Sequence, residues 1–258
     1  MLTCAMNDPK KELLSQIKEF GDHDFDILEI TLEPPFAYPL ETQKIKEIVN
    51  LLASYNMGIL AHLPWHFHLA YPITEIQEAY MKHFKECISI AHKLGAQVIT
   101  IHPEFLPNIV ESKKSIISLM EKNLRVLKNA CTDYSMQLNF ENFIQSTYSI
   151  QEVKDIITDA DLDITFDIGH SNVYYGTKGI FDFFAQFQKK ITHIHVHDNF
   201  GDRDSHLPIG AGSIEWELVI KRIKPFYDST FTIEVHSQHK EYLWESRRHF
   251  TRIWAKSN

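Results

Sequence analysis

The chain predicts an α/β fold, a (β/α)₈ barrel built as a single domain over residues 1–258, and three observations carry that prediction. Short apolar runs of strand length alternate with amphipathic helical patterns along the whole sequence, which implies a parallel sheet flanked by helices. Eight such units fit into 258 residues, the usual size of a (β/α)₈ barrel. No G-x-G-x-x-G loop follows an early strand, which disfavours a doubly wound open sheet.

The elements follow in order. Leu2 to Met6 reads as the first strand. Asp8 followed by Pro9 is a helix-start signal, with Leu13, Leu14, Ile17 and Phe20 on the apolar side and Gly21 expected to end the helix. Phe25 to Leu32 is strand two. Ile45, Ile48, Val49 and Leu52 mark a helix over Glu41 to Asn56, closed by Gly58. Ile59 to Leu63 is strand three. A long helix from about Ile73 to Leu94 turns Phe84, Cys87, Ile88 and Ala91 inward and stops at Gly95. Gln97 to His102 is strand four, halted by Pro103, and a helix from about Glu111 to Asp133 buries Ile116, Met120, Leu124 and Leu127. Met136 to Glu141 is strand five, Ile150 to Asp159 a helix, Leu162 to Asp167 strand six, and Lys178 to Lys189 a helix. Strand seven is Ile191 to His197. Trp216, Val219, Ile220 and Ile223 mark the next helix, Phe231 to Val235 is strand eight, and His239 to Trp254 closes the chain. Eight strands and eight helices result, with no linker-like or low-complexity segment between them.

The stretch from 191 to 212, ITHIHVHDNFGDRDSHLPIGAG, carries the densest chemistry. Strand alternation puts His193, His195 and His197 on one face. Imidazoles bury badly without partners, so His193, deepest in the strand, reads as a hydrogen-bonded core residue and His195 as a ligand at the strand end. In the loop beyond, Asp204 and His206 are expected to fold back over the same ion. Asp198 and Asp202 read as solvated loop, and Gly210 and Gly212 close it. Other strand ends repeat the theme: His62, His102, Glu141, Asp167 and Glu234 end strands three, four, five, six and eight, and His170 follows Asp167 in D-I-G-H. A strand-end carboxylate alone is often just a helix cap. Six consecutive strands ending in metal-capable side chains point instead to the rim where such barrels do chemistry. Five imidazoles and four carboxylates suit Zn²⁺, Mn²⁺ or Fe²⁺ better than Ca²⁺.

Composition narrows the partners. Lys plus Arg number 26 against 34 Asp plus Glu, for a net charge of −8 without a basic block, so nothing advertises nucleic acid. Fifteen histidines single out imidazole chemistry. Cys4, Cys87 and Cys131 are scattered, without a C-x-x-C, and read as reduced, packed thiols. The segment MLTCAMNDPKKE has no apolar h-region, and no run reaches membrane-spanning length. The expectation is a cytoplasmic protein without a membrane partner.

H-L-P-W at 62–65, I-H-P-E at 101–104, F-E-N at 140–142, F-D-I-G-H at 166–170, and H-x-H-D followed by D-x-H-L-P-I-G-x-G resemble the xylose-isomerase-like TIM-barrel superfamily over nearly the whole chain. That superfamily includes sugar isomerases and epimerases as well as abasic-site nucleases of the endonuclease IV type. The resemblance to the isomerases implies one divalent ion, Zn or Mn, on Glu141, Asp167, His195 and Glu234, with His170 beside the substrate. The resemblance to the nuclease implies three zinc ions on nine ligands: His62, His102, Glu141, Asp167, His170, His195, Asp204, His206 and Glu234. The cofactor expectation is therefore one to three ions.

Two activities compete. Isomerisation or epimerisation of a sugar or sugar phosphate needs a base, an acid and an ion that holds two oxygens of an enediolate. Glu141 and Glu234, with His170, are the candidate catalytic groups. Hydrolysis of a phosphoester is the alternative, supported by the complete nine-residue set. Against duplex binding, the segments LEPPFAYP and PWHFHLAYP contain no Lys or Arg. Trp65, Asn142, His197 and Arg203 are the candidate substrate contacts, Arg203 being the one cation in the strand-seven loop. A small sugar or sugar phosphate is the expected partner, nucleic acid the disfavoured one, and a homo-oligomer is compatible with the sequence. A non-catalytic metal-binding barrel is disfavoured by the surplus of rim ligands.

Overall fold

The computed structural model describes residues 1–104 and 112–257. Its strands are β1 (Leu2–Met6), β2 (Ile27–Thr31), β3 (Gly58–His62), β4 (Val98–Ile101), β5 (Gln137–Glu141), β6 (Asp163–Asp167), β7 (Ile191–Val196) and β8 (Thr230–Ile233). They form a closed barrel of parallel strands in sequence order, as predicted. The helices are α1 (Leu13–Asp22), α2 (Thr42–Ser54), α3 (Thr74–Leu94), α4 (Lys113–Asp133), α5 (Ile150–Ala160), α6 (Ile168–Asn172), α7 (Gly176–Phe187), α8 (Trp216–Ile223) and α9 (Glu241–Lys256). Among the described residues no helix is long and apolar enough to cross a membrane. The chain packs as two compact units, one of Met6–Glu141 with Val153–Asp163, the other of Met1–Ala5, Asn142–Glu152 and Ile164–Asn258.

In the first unit, β2 to β5 pair in parallel, with Thr31 opposite His62, His62 opposite Thr100, and Ile101 opposite Phe140. Alternation sorts the side chains. Leu28, Ile30, Ile99, Ile101, Leu138 and Phe140 are buried apolar positions, while Glu29, Thr100, Asn139 and Glu141 are buried polar ones on the opposite face. Each fully buried Leu, Ile or Phe contributes roughly 1.5–3 kcal/mol, so the apolar face can offset the desolvation of the polar one. Cys87 and Cys131 are packed and free. Burial pushes the Cys131 thiol up to about 12, out of reach of thiolate chemistry at neutral pH.

Three helix boundaries in this unit differ from expectation. α1 starts at Leu13, not Pro9, because Glu12 is the cap and accepts from the Ser15 amide at 2.8 Å. Gly21 lies inside α1 rather than ending it: a Cβ there would sit 2.3 Å from the Tyr55 ring, so the glycine permits close helix packing. Gly58 does not close α2 but opens β3. The reversal after α2 is made by Asn56, with φ 51 in the left-handed region that Asn tolerates. α3 ends as expected at Gly95, φ 92. For α4 the expected start at Glu111 lies outside the described residues. Ser112 caps the helix by accepting from the Ser115 amide.

In the second unit, β6, β7 and β8 pair in parallel, with Asp167 opposite His195 and His195 opposite Thr232. β1 pairs with β8, Cys4 opposite Thr232. Phe166 stacks on Phe183 at 5.2 Å, and Phe231 meets Trp254 at 5.0 Å, aromatic contacts that fasten α7 and α9 to the sheet. α9 begins at Glu241, two residues later than expected. α6 was not expected at all. Its five residues are too few for a periodicity signal, yet all are buried, and Asp167 caps the helix by accepting from the His170 amide at 2.6 Å. The described residues therefore hold nine helices instead of eight.

Candidate active site

The β2–β5 unit carries one group of donors. His62, the last residue of β3, is 4% exposed. Its Nδ1 lies 2.7 Å from the Leu63 carbonyl and its Nε2 3.1 Å from Glu141 Oε2. His102, just past β4, places Nε2 2.9 Å from the same carboxylate oxygen. Ligand-capable atoms of His62, His102 and Glu141 all lie within 4.8 Å of one another. Two buried carboxylates outside the expected set shape the adjoining loop. Glu33 accepts from the Trp65 amide at 3.1 Å and lies 3.3 Å from His66 Nδ1. Glu104 accepts from the Ala70 amide at 2.7 Å and holds His68 Nδ1 at 2.6 Å. Trp65 on this loop is 55% exposed.

The β6–β8 unit carries the other donors. Asp167, His195 and Glu234 come from three neighbouring strands. His195 Nδ1 is 3.1 Å from Glu234 Oε1, and ligand-capable atoms of all three lie within 4.8 Å of one another. A second group collects His170 from α6, His197 from just beyond β7, and Asp204 and His206 from the following loop. His170 Nδ1 lies 2.8 Å from the Asn142 carbonyl and its Nε2 3.2 Å from Asp204 Oδ2. His206 repeats the pattern, Nδ1 at 3.1 Å from the Glu234 carbonyl and Nε2 at 3.1 Å from Asp204 Oδ2. It does so at φ 44, a conformation uncommon for a residue other than glycine.

These rings test whether the residues fit a metal. In His62, His170 and His206, Nδ1 faces a backbone carbonyl, which can only accept, so Nδ1 carries the proton. Nε2 then turns its lone pair toward a carboxylate oxygen, also an acceptor. Each ring needs either a second proton or a cation at Nε2, and imidazoles oriented by a carbonyl at the far nitrogen are the usual companions of a bound metal. Electrostatics agrees for His206: burial, then neighbouring His197, lower its pKa, favouring the neutral ligand form. Asp204 is disfavoured by burial, yet the imidazoles of His170 and His206 hold its carboxyl well below the usual range. The donor set fits a divalent cation.

The remaining expected residues fall into two classes. Asn142 and His197 have no exposed surface. The Asn142 amide donates to the Asp167 carbonyl at 2.9 Å and accepts from the Asp167 amide at 2.8 Å. Arg203 is exposed and lines a cavity of about 360 Å³ with Phe200, Asp204, Ser205 and Leu207. His193, expected in the core, is buried with its ring nitrogens 2.7 Å and 2.9 Å from the Thr230 and Thr232 hydroxyls. Asp198 corrects the expectation of a solvated loop. It is fully buried and accepts from the amides of Asn199, Gly210 and Ile214 and from the Trp216 indole at 2.9–3.2 Å. Gly212 is required beside it, since a Cβ would lie 2.3 Å from Asp198 Oδ1. A larger cavity, about 670 Å³ against Gln77, Lys82, Leu119 and Asn123, contains none of the expected ligands. Donor geometry, not volume, locates the candidate chemistry.

The chain resembles known proteins over most of its length. The chain is 27% identical over 236 residues to the uncharacterized protein MJ1311 of Methanocaldococcus jannaschii, an alignment covering 87% of this chain and 79% of that one. It superposes on a D-tagatose 3-epimerase-like protein with TM-score 0.88 and 25% identity, covering 100% of this chain and 98% of the other. D-Psicose 3-epimerase from Clostridium cellulolyticum H10, crystallised with D-tagatose, shares the fold at TM-score 0.82 and 14% identity, with coverage of 100% and 99%. The family model described as xylose isomerase-like TIM barrel matches residues 14–253, and the chain belongs to that family.

Proposed function

We propose that the protein is a divalent-metal-dependent sugar or sugar-phosphate isomerase or epimerase, working as one domain over residues 1–258. The observation that carries this reading is the run of Asp167, His195 and Glu234 at the ends of three neighbouring strands, a buried carboxylate–imidazole set with Glu234 8% exposed. The 25% identity to a D-tagatose 3-epimerase-like protein over the whole chain supports the choice of chemistry. In this reading Asp167, His195 and Glu234, with Glu141 from β5, hold the ion. The ion, when bound, would draw electron density from the two oxygens of a hydroxycarbonyl substrate and so acidify the intervening C–H. One of Glu141 and Glu234 takes the proton from the carbon beside the carbonyl. The other, or the same group after transfer, returns a proton to give the isomer or epimer. His170 orients substrate oxygens, Trp65 offers an apolar face to the sugar, and Arg203 suits a phosphate or hydroxyl. Asn142 holds the backbone of Asp167. The free, buried cysteines are compatible with the reducing cytoplasm.

A second reading, a multinuclear zinc phosphoester hydrolase, is favoured by one observation: His62, His102 and Glu141, and separately His170, Asp204 and His206, are each arranged as donors in their own right. One ion takes only about four to six ligands, so full use of both groups would mean more than one centre. Elemental analysis of protein purified without chelators, combined with deuterium incorporation into ketoses in D₂O, separates the readings. The expected result is one tightly held exchangeable ion per chain, Mn²⁺ or Co²⁺ supporting deuterium exchange at the carbon beside the carbonyl. Two or three zinc ions per chain, with phosphodiester cleavage and no exchange, would transfer the assignment to the hydrolase.

A further inference from the structure

His197 belongs to the β6–β8 unit, and its surroundings point to a role other than touching substrate. It has no exposed surface. Its ring stacks on His206 with centroids 3.8 Å apart and planes 17° from parallel. Nε2 lies 3.2 Å from Asp167 Oδ1 and 3.4 Å from Asp204 Oδ1, and it makes an aligned hydrogen bond to neither. One N–H directed between two carboxylates, a shared three-centre contact, accounts for that geometry. Nδ1 has no hydrogen-bond partner among the described residues.

Room for the ring comes from Gly169 in D-I-G-H. A Cβ at that position would lie 2.0 Å from His197 Cε1 and 2.3 Å from Nε2. Any other residue at 169 would have to displace the imidazole. Asp167 Oδ1 is thus fixed from two sides, by the His170 amide at 2.6 Å and by His197. We propose that His197, seated on Gly169, is a positioning residue that bridges Asp167 to Asp204 and so holds the Asp167 carboxylate in the orientation needed to bind a divalent cation. The inference rests on the metal-dependent reading above, and it assigns His197 to the support of the ligands rather than to the substrate.

Supporting partners of metal ligands typically contribute about 10–100-fold to metal affinity. The test is a calorimetric titration of chelator-stripped full-length protein with Mn²⁺, alongside thermal unfolding of the same metal-free samples. H197L keeps the ring's volume but removes its N–H and should weaken Mn²⁺ binding about 10–100-fold. H197Q places an amide N–H near the position of Nε2 and should recover most of the loss. G169A keeps every donor and should weaken binding comparably, and the G169A/H197L pair should be no worse than H197L alone, the non-additivity expected of one shared interaction. A packing role alone would leave H197L and H197Q alike. Should H197L fail to fold, H197Q against G169A carries the test, with affinity near wild type in the first and lost in the second. Equal Mn²⁺ affinity in wild type, H197L and G169A, or no recovery by H197Q, would overturn the positioning role while leaving the metal reading intact. Wild-type protein that binds no Mn²⁺ would overturn both.

Discussion

The two donor regions solve the same problem differently. On β3 to β5, His62, His102 and Glu141 stand at or one residue beyond the ends of paired strands, and two imidazoles converge on one carboxylate oxygen. On the β6–β8 side, beside the strand-end Asp167, His195 and Glu234, a further group depends on irregular chain: the five-residue α6 supplies His170, and the loop after β7 supplies Asp204 and His206. That loop is organised by Asp198, whose backbone bridges to Leu207 and whose side chain gathers four donors. Strand-borne ligands inherit the precision of the ladder. Loop-borne ligands inherit it only through a hub, so the second region should fail when the hub fails, and the first should not.

The sharpest way to break the comparison is Asp198→Ala. Three amides and the Trp216 indole would lose their buried acceptor. Each stranded group costs about 1–3 kcal/mol, but the loop can open to water and relieve part of this, so a total of roughly 3–5 kcal/mol is expected, as for other buried charged groups. At about 2–4 °C per kcal/mol for a chain near this size, the melting midpoint should fall by roughly 6–20 °C. A midpoint within about 2 °C of wild type would show that Asp198 is no hub and that the two regions are built alike.

This contrast also marks what could be read from the sequence. Strand order, the barrel and the strand-end donors were legible because period-two patterning and strand ends leave local signatures, as at His62 and Glu141. Gly95 was legible for the same reason, being a helix terminator in a left-handed conformation. Gly21 and Gly169 were not, because their reason is a ring arriving from a distant residue, Tyr55 or His197. α6 was too short to show a period. Asp198 looked like any loop aspartate, since its four donors, reaching as far as Trp216, are brought together only by the fold. Glu33 and Glu104 lay in segments read for their overall character. Their anchoring of the Trp65 loop likewise depends on non-local contacts.

A smaller effect sharpens the comparison through pH. In metal-free protein the folded pKa of Asp204 is depressed, because His170 and His206 outweigh the opposing effect of burial. A depressed carboxylate contributes stability that is present above its unfolded pKa, about 3.9, and is lost as pH falls toward its folded value. Wild-type protein should therefore lose stability on acidification from about pH 5 downward, whereas Asp204→Asn should lack that share of the loss, on the order of 1–2 kcal/mol. Urea midpoints measured between pH 3 and 7 in the presence of chelator would read it. Parallel pH curves for the two proteins would remove the electrostatic coupling assigned to the loop-borne group.

The smallest expected effect on folding belongs to the strand-borne group, in Glu141→Gln. Glu141 is 1% exposed and meets His62 Nε2 at 3.1 Å and His102 Nε2 at 2.9 Å, both through Oε2. Gln has nearly the same shape, and its amide oxygen can take the place of Oε2, leaving an acceptor before the same two rings. The Leu63 carbonyl continues to fix His62 from its other side at 2.7 Å, and no loop has to move. Without metal, the change should stay within about 1 kcal/mol, or 2–4 °C in the melting midpoint. Turnover on a ketose substrate should nevertheless fall by at least about 100-fold, because general acid–base catalysis typically contributes 10²–10⁴ and the amide cannot exchange a proton in this way. A fall in midpoint as large as that of Asp198→Ala would erase the distinction between strand-borne and loop-borne ligands. Turnover retained in a folded variant would keep the distinction and move the proton transfer from Glu141 to Glu234, the other candidate acid–base group.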